Sequence, residues 1–234
     1  MKIALLIPTL NEIDGVKKIM PRIKREWVDE IVFVDGNSTD GTVEYVKEQG
    51  YTLFLENGRG LRPTILKALN NIESDVIITF SPDGNCIPEL IPSLIEKFKE
   101  GYDMVIASRY LNGAKSYDDN LVTSFGNWVF TNSINLLHGG RYTDAMNIFR
   151  IYRKNLYKEL DLDKEITYLT PEKLFHTKIG VEPILSVRAA KKKLKICEIP
   201  GDEPARIGGE AKLKVIRWGA AYYFQVLREK FWWS

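Results

Sequence analysis

Short, continuously apolar runs, each closed by a polar segment rich in Gly, Asn and carboxylates, constrain this chain more than any other feature. Five such runs read as strands: Ile3–Ile7, Ile31–Val34, Thr52–Leu55, Val76–Phe80 and Met104–Ala107. Between them Asp14–Arg25, Thr42–Gln49, Pro63–Asn71 and Pro88–Lys99 read as helices. Strands that are apolar along their whole length and alternate with helices predict an α/β fold with a mostly parallel central sheet flanked by helices. In such sheets ligands bind beyond the carboxyl ends of the strands.

The segments at those ends are Pro8-Thr9-Leu10-Asn11-Glu12, Asp35-Gly36-Asn37-Ser38-Thr39-Asp40-Gly41-Thr42, Glu56-Asn57-Gly58-Arg59-Gly60, Ser81-Pro82-Asp83-Gly84-Asn85 and Ser108-Arg109-Tyr110. Any one of them could be an ordinary turn. Five together, brought to one sheet edge, point to a site. The Asp35 carboxylate suits hydrogen bonding to a base or ribose, and Asp40 reads as the cap of the helix that Gly41 and Thr42 open. Asp83 and Asn85 are two hard oxygen donors at i and i+2, which with a nucleotide diphosphate could surround Mg²⁺ or Mn²⁺; an Asx turn is the alternative. Arg109 could hold a phosphate or pair with an acidic loop, and Arg59 could contact a diphosphate or stay solvated.

Several function classes drop out. With 44% hydrophobic residues, the chain is not disordered, and two cysteines far apart (Cys86, Cys197) make no disulfide scaffold or zinc site with His138 and His176. No apolar run approaches the roughly 20 residues of a membrane span. There is no GxxxxGK[ST], and Gly58-Arg59-Gly60 does not extend to GxGxxG, so a P-loop kinase or dinucleotide dehydrogenase is disfavoured. The net charge of +2 hides an asymmetry: residues 1–150 carry 16 Lys and Arg against 20 Asp and Glu, residues 151–234 carry 17 against 11.

In the second part, Leu121–Leu137 reads as a helix, Met146–Tyr152 and Leu194–Ile199 as strands, and 210–233 as a C-terminal helix. On a helical wheel Lys214, Arg217, Gln225 and Arg228 fall on one stripe, with Trp218, Tyr222, Tyr223, Val226 and Leu227 filling the rest. That amphipathic pattern suits a helix lying in a membrane interface, or one packed on the core or on another subunit. The run Lys191-Lys192-Lys193 reads as a solvated helix end.

Taken in order, Ile7-Pro-Thr-Leu-Asn-Glu12, Val34-Asp-Gly-Asn-Ser-Thr-Asp-Gly-Thr42, Ser81-Pro-Asp-Gly-Asn85, Ala107-Ser-Arg-Tyr110 and Thr143-Asp144 to Phe149-Arg150 resemble the family 2 glycosyltransferases. The nearest branch is that of dolichol-phosphate mannose synthase and the polyprenyl-phosphate glycosyltransferases, with Glu198-Ile-Pro200 and Arg206–Leu213 extending the likeness. The resemblance implies a GT-A fold and an inverting transfer of a hexose from a nucleotide-diphosphate sugar to a polyprenyl phosphate. It divides the chain into a catalytic domain, 1–209, and a C-terminal amphipathic helix, 210–234. Within the domain, 1–110 would be the nucleotide-sugar half and 111–209 the acceptor half. Pro8, Thr9, Glu12, Asp35 and Arg59 would line the donor pocket. Asp83 and Asn85 would serve metal and diphosphate, and Arg109, Ser124, Arg206 and Lys212 the phosphates or acceptor. Two positions depart from the family: Ser81 replaces the first carboxylate of its DxD motif, and Phe125 stands where a basic residue is usual.

A phosphate nucleophile is already anionic and needs positioning, not a base. A saccharide hydroxyl, the alternative acceptor, needs a carboxylate base within reach, for which Asp144 and Glu182 are the candidates. A non-catalytic module of the same fold is a further alternative. Nucleic-acid binding would explain the basic tail but none of the strand-end motifs. The expected partners are therefore a nucleotide-diphosphate sugar, a lipid-linked acceptor and the cytoplasmic face of a membrane, met peripherally, with oligomerisation open.

Overall fold

The computed structural model of the chain describes residues 1–58, 60–207 and 215–233, without the side chains of residues 215 and 216. Its elements alternate as β1 (Ile3–Thr9), α1 (Ile13–Ile19), β2 (Glu30–Asp35), α2 (Thr42–Glu48), β3 (Thr52–Leu55), α3 (Leu61–Asn71), β4 (Val76–Thr79), α4 (Ile91–Lys99) and β5 (Met104–Ser108). Then follow α5 (Leu121–His138), β6 (Arg150–Arg153), α6 (Leu156–Glu159), α7 (Ile166–Phe175), α8 (Glu182–Lys191), β7 (Ile196–Pro200) and α9 (Val215–Trp232).

The strands form one sheet in the order β3-β2-β1-β4-β6-β5-β7. Every pairing is parallel except the two made by β6. Thr9 pairs with Asp35 and Asp35 with Leu55, so the ends of β1, β2 and β3 lie level. Reversal of β6 puts its first residue, Arg150, opposite Thr79 at the end of β4. The loop entering β6 therefore opens on the same edge as the loops leaving the other strands.

Successive strand residues point to opposite faces, and both faces are covered. Leu6, Val32, Val34, Ile77 and Ile106 share one buried layer with α3, α5, α7, α8 and α9. Leu5, Ile7, Phe33, Ile78 and Val105 share the other with α1, α2 and α4. In α4 the buried residues Ile91, Leu94, Ile95 and Phe98 follow helical spacing.

Three local expectations change. The helix expected over Asp14–Arg25 ends at Ile19, and Met20-Pro21-Arg22 continues as a single 3₁₀ turn. The strand expected over Met146–Tyr152 begins only at Arg150, because the Arg150 guanidinium draws the carbonyls of Ala145 and Asn147 into a loop. Gly41 at φ 97° precedes α2 as its cap residue. Asp40 accepts instead from the Thr42 amide (3.0 Å) and the Ile13 amide (3.0 Å), tying the starts of α1 and α2 together.

The C-terminal helix packs on the domain. Ala221, Gln225, Val226 and Glu229 of α9 are buried, although Gln225 belongs to the stripe read as polar. Its amide donates to the Thr167 carbonyl (3.2 Å), as does Arg228 (3.0 Å). Arg217 donates to the carbonyls of Phe175 (2.6 Å) and His176, just where α7 ends. Basic groups satisfy free carbonyls at a helix C-terminus, and here they use protein carbonyls. Lys191, expected in solvent, donates to the Glu229 carbonyl (2.6 Å).

At the centre of this contact Arg188 and Glu229, both fully buried, form a two-pronged ion pair (Nε–Oε2 3.0 Å, Nη2–Oε1 3.1 Å). The Leu160 carbonyl accepts a further Arg188 hydrogen bond at 2.7 Å. Removing one partner leaves an uncompensated buried charge. Arg188→Met is expected to lower stability by about 3–5 kcal/mol, and adding Glu229→Leu to recover most of it. Urea unfolding midpoints of the two variants check this.

Candidate active site

Asp35 ends β2 and is fully buried. Its Oδ2 accepts from the hydroxyls of Thr9 and Ser38, both at 2.7 Å, and its Oδ1 from the Ser38 amide at 2.7 Å. The Asn11 amide donates to Ser38 Oγ (2.7 Å), and Asn11 Oδ1 accepts from the Thr39 amide (2.8 Å). Asn11 and Asn37 sit at φ 53° and 68°, a left-handed conformation that Asn tolerates. The loops after β1 and β2 thus form one stitched unit around Asp35. Pro8 is half-buried beside it, and the Thr9 side chain supports Asp35 from within.

The Ser81–Asn85 turn is clamped from two sides. A Cβ on Gly15 of α1 would lie 2.3 Å from the Pro82 carbonyl oxygen. Gly84, at φ 99°, leaves no room for a Cβ against Ile207, whose amide donates to the Asp83 carbonyl at 2.7 Å. Asp83 is nearly buried. Its Oδ1 accepts from the Asn85 amide (3.0 Å), and its Oδ2 meets Arg206 Nη1 at 2.9 Å. The same Nη1 lies 3.8 Å from Glu12 Oε1. Asn85 donates its side-chain amide to Asp118 (2.9 Å), while its Oδ1 is buried with no partner among the described residues.

One carboxylate and one unpaired amide oxygen make a hard, incomplete donor set. That set fits Mg²⁺ or Mn²⁺ when diphosphate oxygens supply further ligands. Among the described residues no cluster of three or more His, Cys, Asp and Glu could hold a metal unaided. Burial, reinforced by the Asp83 charge, pushes the nearby Cys86 thiol far up, which removes it as a nucleophile.

On the other side of the edge, Arg109 follows β5 and takes the ion-pair alternative. It grips the fully buried Asp144 through Nε–Oδ2 (2.6 Å) and Nη2–Oδ1 (2.9 Å), and reaches Glu203 at 3.2 Å. Burial alone would lower the Arg109 pKa, but the Asp144 hydrogen bond and the two carboxylate charges outweigh it and hold the guanidinium charged. Burial raises the Glu203 carboxyl above its ordinary value, against the opposing pull of Arg109 and Ser116. Glu203 also accepts from the Ser116 hydroxyl, and its backbone pairs with Lys115 and Tyr117. No sequence motif singles Glu203 out; the parallel pairing of β5 with β7, Ser108 opposite Pro200, is what brings it to Arg109.

Glu182, half-buried, begins α8 and lines a narrow crevice with Thr79, Arg150, Tyr152 and Tyr157. Ser124 lies half-buried in the first turn of α5, which Asn120 and Thr123 close by a reciprocal capping box. Arg59 and Lys212 lie outside the described residues.

Helix α5 is apolar on the wrong side. Its buried face carries Asn127, Thr131, Ile134 and His138, whereas Leu121 (91% exposed), Phe125 (64%), Trp128 (61%) and Leu136 (85%) face outward at helical spacing. Phe125 and Trp128 stack with ring centroids 5.9 Å apart. Burial of His138 lowers its pKa and keeps the ring neutral among the packed residues.

The tight fit of Gly15 generates a test. Gly15→Ala must push the Pro82 carbonyl away and with it Asp83, so nucleotide binding is expected to fall about tenfold or more, the size of effect of misplacing reacting groups by an ångström. Calorimetric titration with nucleoside diphosphates, beside a circular dichroism check that the fold persists, measures it.

The family model described as "Glycosyl transferase family 2" matches residues 4–161. A dolichol-phosphate mannosyltransferase of Pyrococcus furiosus is 28% identical over 233 residues, covering 92% of this chain and 60% of the relative. An undecaprenyl-phosphate mannosyltransferase of Micrococcus luteus is 26% identical over 251 residues, covering 98% of this chain and 99% of the relative. Glucosyl-3-phosphoglycerate synthase of Mycobacterium tuberculosis, solved with Mn²⁺, UDP and glucosyl-3-phosphoglycerate, superposes with a TM-score of 0.68 at 17% identity, covering 98% of this chain and 79% of that one. The sheet order, the strand-end site and the family match agree: the chain belongs to glycosyl transferase family 2 and is a glycosyltransferase of GT-A fold.

Proposed function

We infer that the chain transfers a hexose, with inversion, from a nucleotide-diphosphate sugar to a polyprenyl phosphate at a membrane surface. The observation that carries the acceptor class is the state of Asp144. A hydroxyl acceptor needs a free carboxylate base. Asp144 is fully buried and held on both oxygens by Arg109, and Glu182 lies half-buried in a narrow crevice beside Arg150. A phosphate acceptor requires no base, so this edge suits it. The names of the two mannosyltransferase relatives support the same acceptor class.

In this reading Asp35, pre-oriented by Thr9 and Ser38, receives the nucleoside, with Pro8 and Glu12 beside it. Asp83 and Asn85 hold Mg²⁺ or Mn²⁺, which when bound neutralises charge on the departing diphosphate. Arg206 lies close enough to contribute a second positive charge to the same phosphates. Arg109 keeps Asp144 and Glu203 in place, and Ser124, in the first turn of α5, is the candidate for the acceptor phosphate. The outward apolar stripe of α5 provides a surface for the isoprenoid chain and the bilayer that holds it. Among the described residues no helix is long and apolar enough to cross a membrane.

Two measurements test the reading. A panel of nucleotide sugars, each with and without polyprenyl phosphate and followed by nucleoside-diphosphate release, should show release stimulated by the lipid. Asp83→Ala should lower that rate by about two to three orders of magnitude; transfer only to saccharides would overturn the acceptor. Flotation with anionic phospholipid vesicles tests the surface. The double change Phe125→Ser and Trp128→Ser should weaken binding by about tenfold or more, since each large apolar side chain buried contributes about 1.5–3 kcal/mol.

A further inference from the structure

The proposed metal site already contains a cation. Arg206 Nη1 lies 2.9 Å from Asp83 Oδ2, the oxygen not engaged by the Asn85 amide. It is the charge-assisted kind of contact, stronger than a neutral hydrogen bond. The position of Arg206 is set by its own chain, since the next residue, Ile207, donates to the Asp83 carbonyl and packs on Gly84. Two polar atoms at this point are buried without partners among the described residues: Arg206 Nε, a donor, and Asn85 Oδ1, an acceptor. A buried donor and a buried acceptor, each left unpaired, cost free energy in this state. A diphosphate would satisfy the first, and a divalent cation the second. Ser81 sharpens the competition, because it leaves Asp83 as the turn's only carboxylate.

We propose that Arg206 is a built-in counter-ion that closes Asp83 to divalent metal until a nucleotide diphosphate draws its guanidinium away, so that metal and nucleotide are captured together. This rests on the reading of Asp83 and Asn85 as the metal and diphosphate site. A divalent ion arriving alone must displace a guanidinium and gains one carboxylate and one amide oxygen. A diphosphate arriving with the ion gives the guanidinium a new anionic partner in place of Asp83 and gives the metal phosphate oxygens as ligands.

The test is Mn²⁺ binding to the full chain, read by the loss of the free-ion electron paramagnetic resonance signal, with MnCl₂ alone and with a nucleoside diphosphate. Wild type should bind Mn²⁺ weakly alone and tightly with nucleotide. Arg206→Gln should bind Mn²⁺ alone about ten- to a hundredfold more tightly than wild type, the size of a lost charge-assisted hydrogen bond. Arg206→Lys, which keeps the charge, should stay near wild type, and Asp83→Asn added to Arg206→Gln should abolish the gain. Equal Mn²⁺ affinity of wild type and Arg206→Gln without nucleotide would overturn the proposal, as would a gain that survives Asp83→Asn. The sugar-transfer panel separates this from the function: transfer with unchanged Mn²⁺ affinity in Arg206→Gln defeats the counter-ion alone. A gain in Mn²⁺ affinity without transfer to any acceptor defeats the function and leaves the counter-ion standing.

Discussion

A guanidinium removed from water has to be matched by carboxylates at close range, and around Arg109 that requirement joins three segments far apart in the chain. Asp144 comes from the loop before β6 and Glu203 from the loop after β7, while Arg109 itself directly follows β5. Each carboxylate is buried enough that it would be costly without the cation, and the cation would be costly without them. Glu203 passes the constraint on, since its backbone fixes residues 115–117 and its loop runs on to Arg206 and Asp83. One side of the edge is therefore held by a charge cluster, and the other by the uncharged donors around Asp35.

Much of this was legible in residue order. Thr52–Leu55 was read with its observed bounds, and the other early strands differ by one or two residues. Their polar ends converge because parallel strands must share a direction, so a continuously apolar run followed by Asp, Asn or Gly marks the edge by itself. The turn at Asp83 was legible for the same reason. Its Arg206 partner had been placed near phosphates, but the ion pair itself depends on how the segment after β7 folds back.

What failed to read through was side-chain pairing across sequence distance. The wheel of α9 placed Gln225 on a polar stripe, yet the Thr167 carbonyl waits on α7 to receive it, and Glu229 turns inward because Arg188 is there. In α5 the error would have run the other way, because Asn127 and Thr131 look like surface residues and lie inside. Helical period alone assigns a face, and a buried polar partner can reverse which face is inner. Glu203 escaped notice because nothing within ten residues of it names its partners.

The single reversed strand has a consequence for how such an enzyme can diversify. Because β6 runs against its neighbours, the sheet separates into a β3-β2-β1-β4 block and a β6-β5-β7 block. The first carries the loops around Asp35 and Asp83, the second those around Arg109, Asp144 and Glu203. The loop after β7 crosses that division, because past Glu203 it carries Arg206 and Ile207 onto Asp83. In the proposed reading, a lineage built on this plan can change the sugar's destination through the loops around Arg109 and Asp144, whereas any change after β7 reaches back into the Asp83 turn.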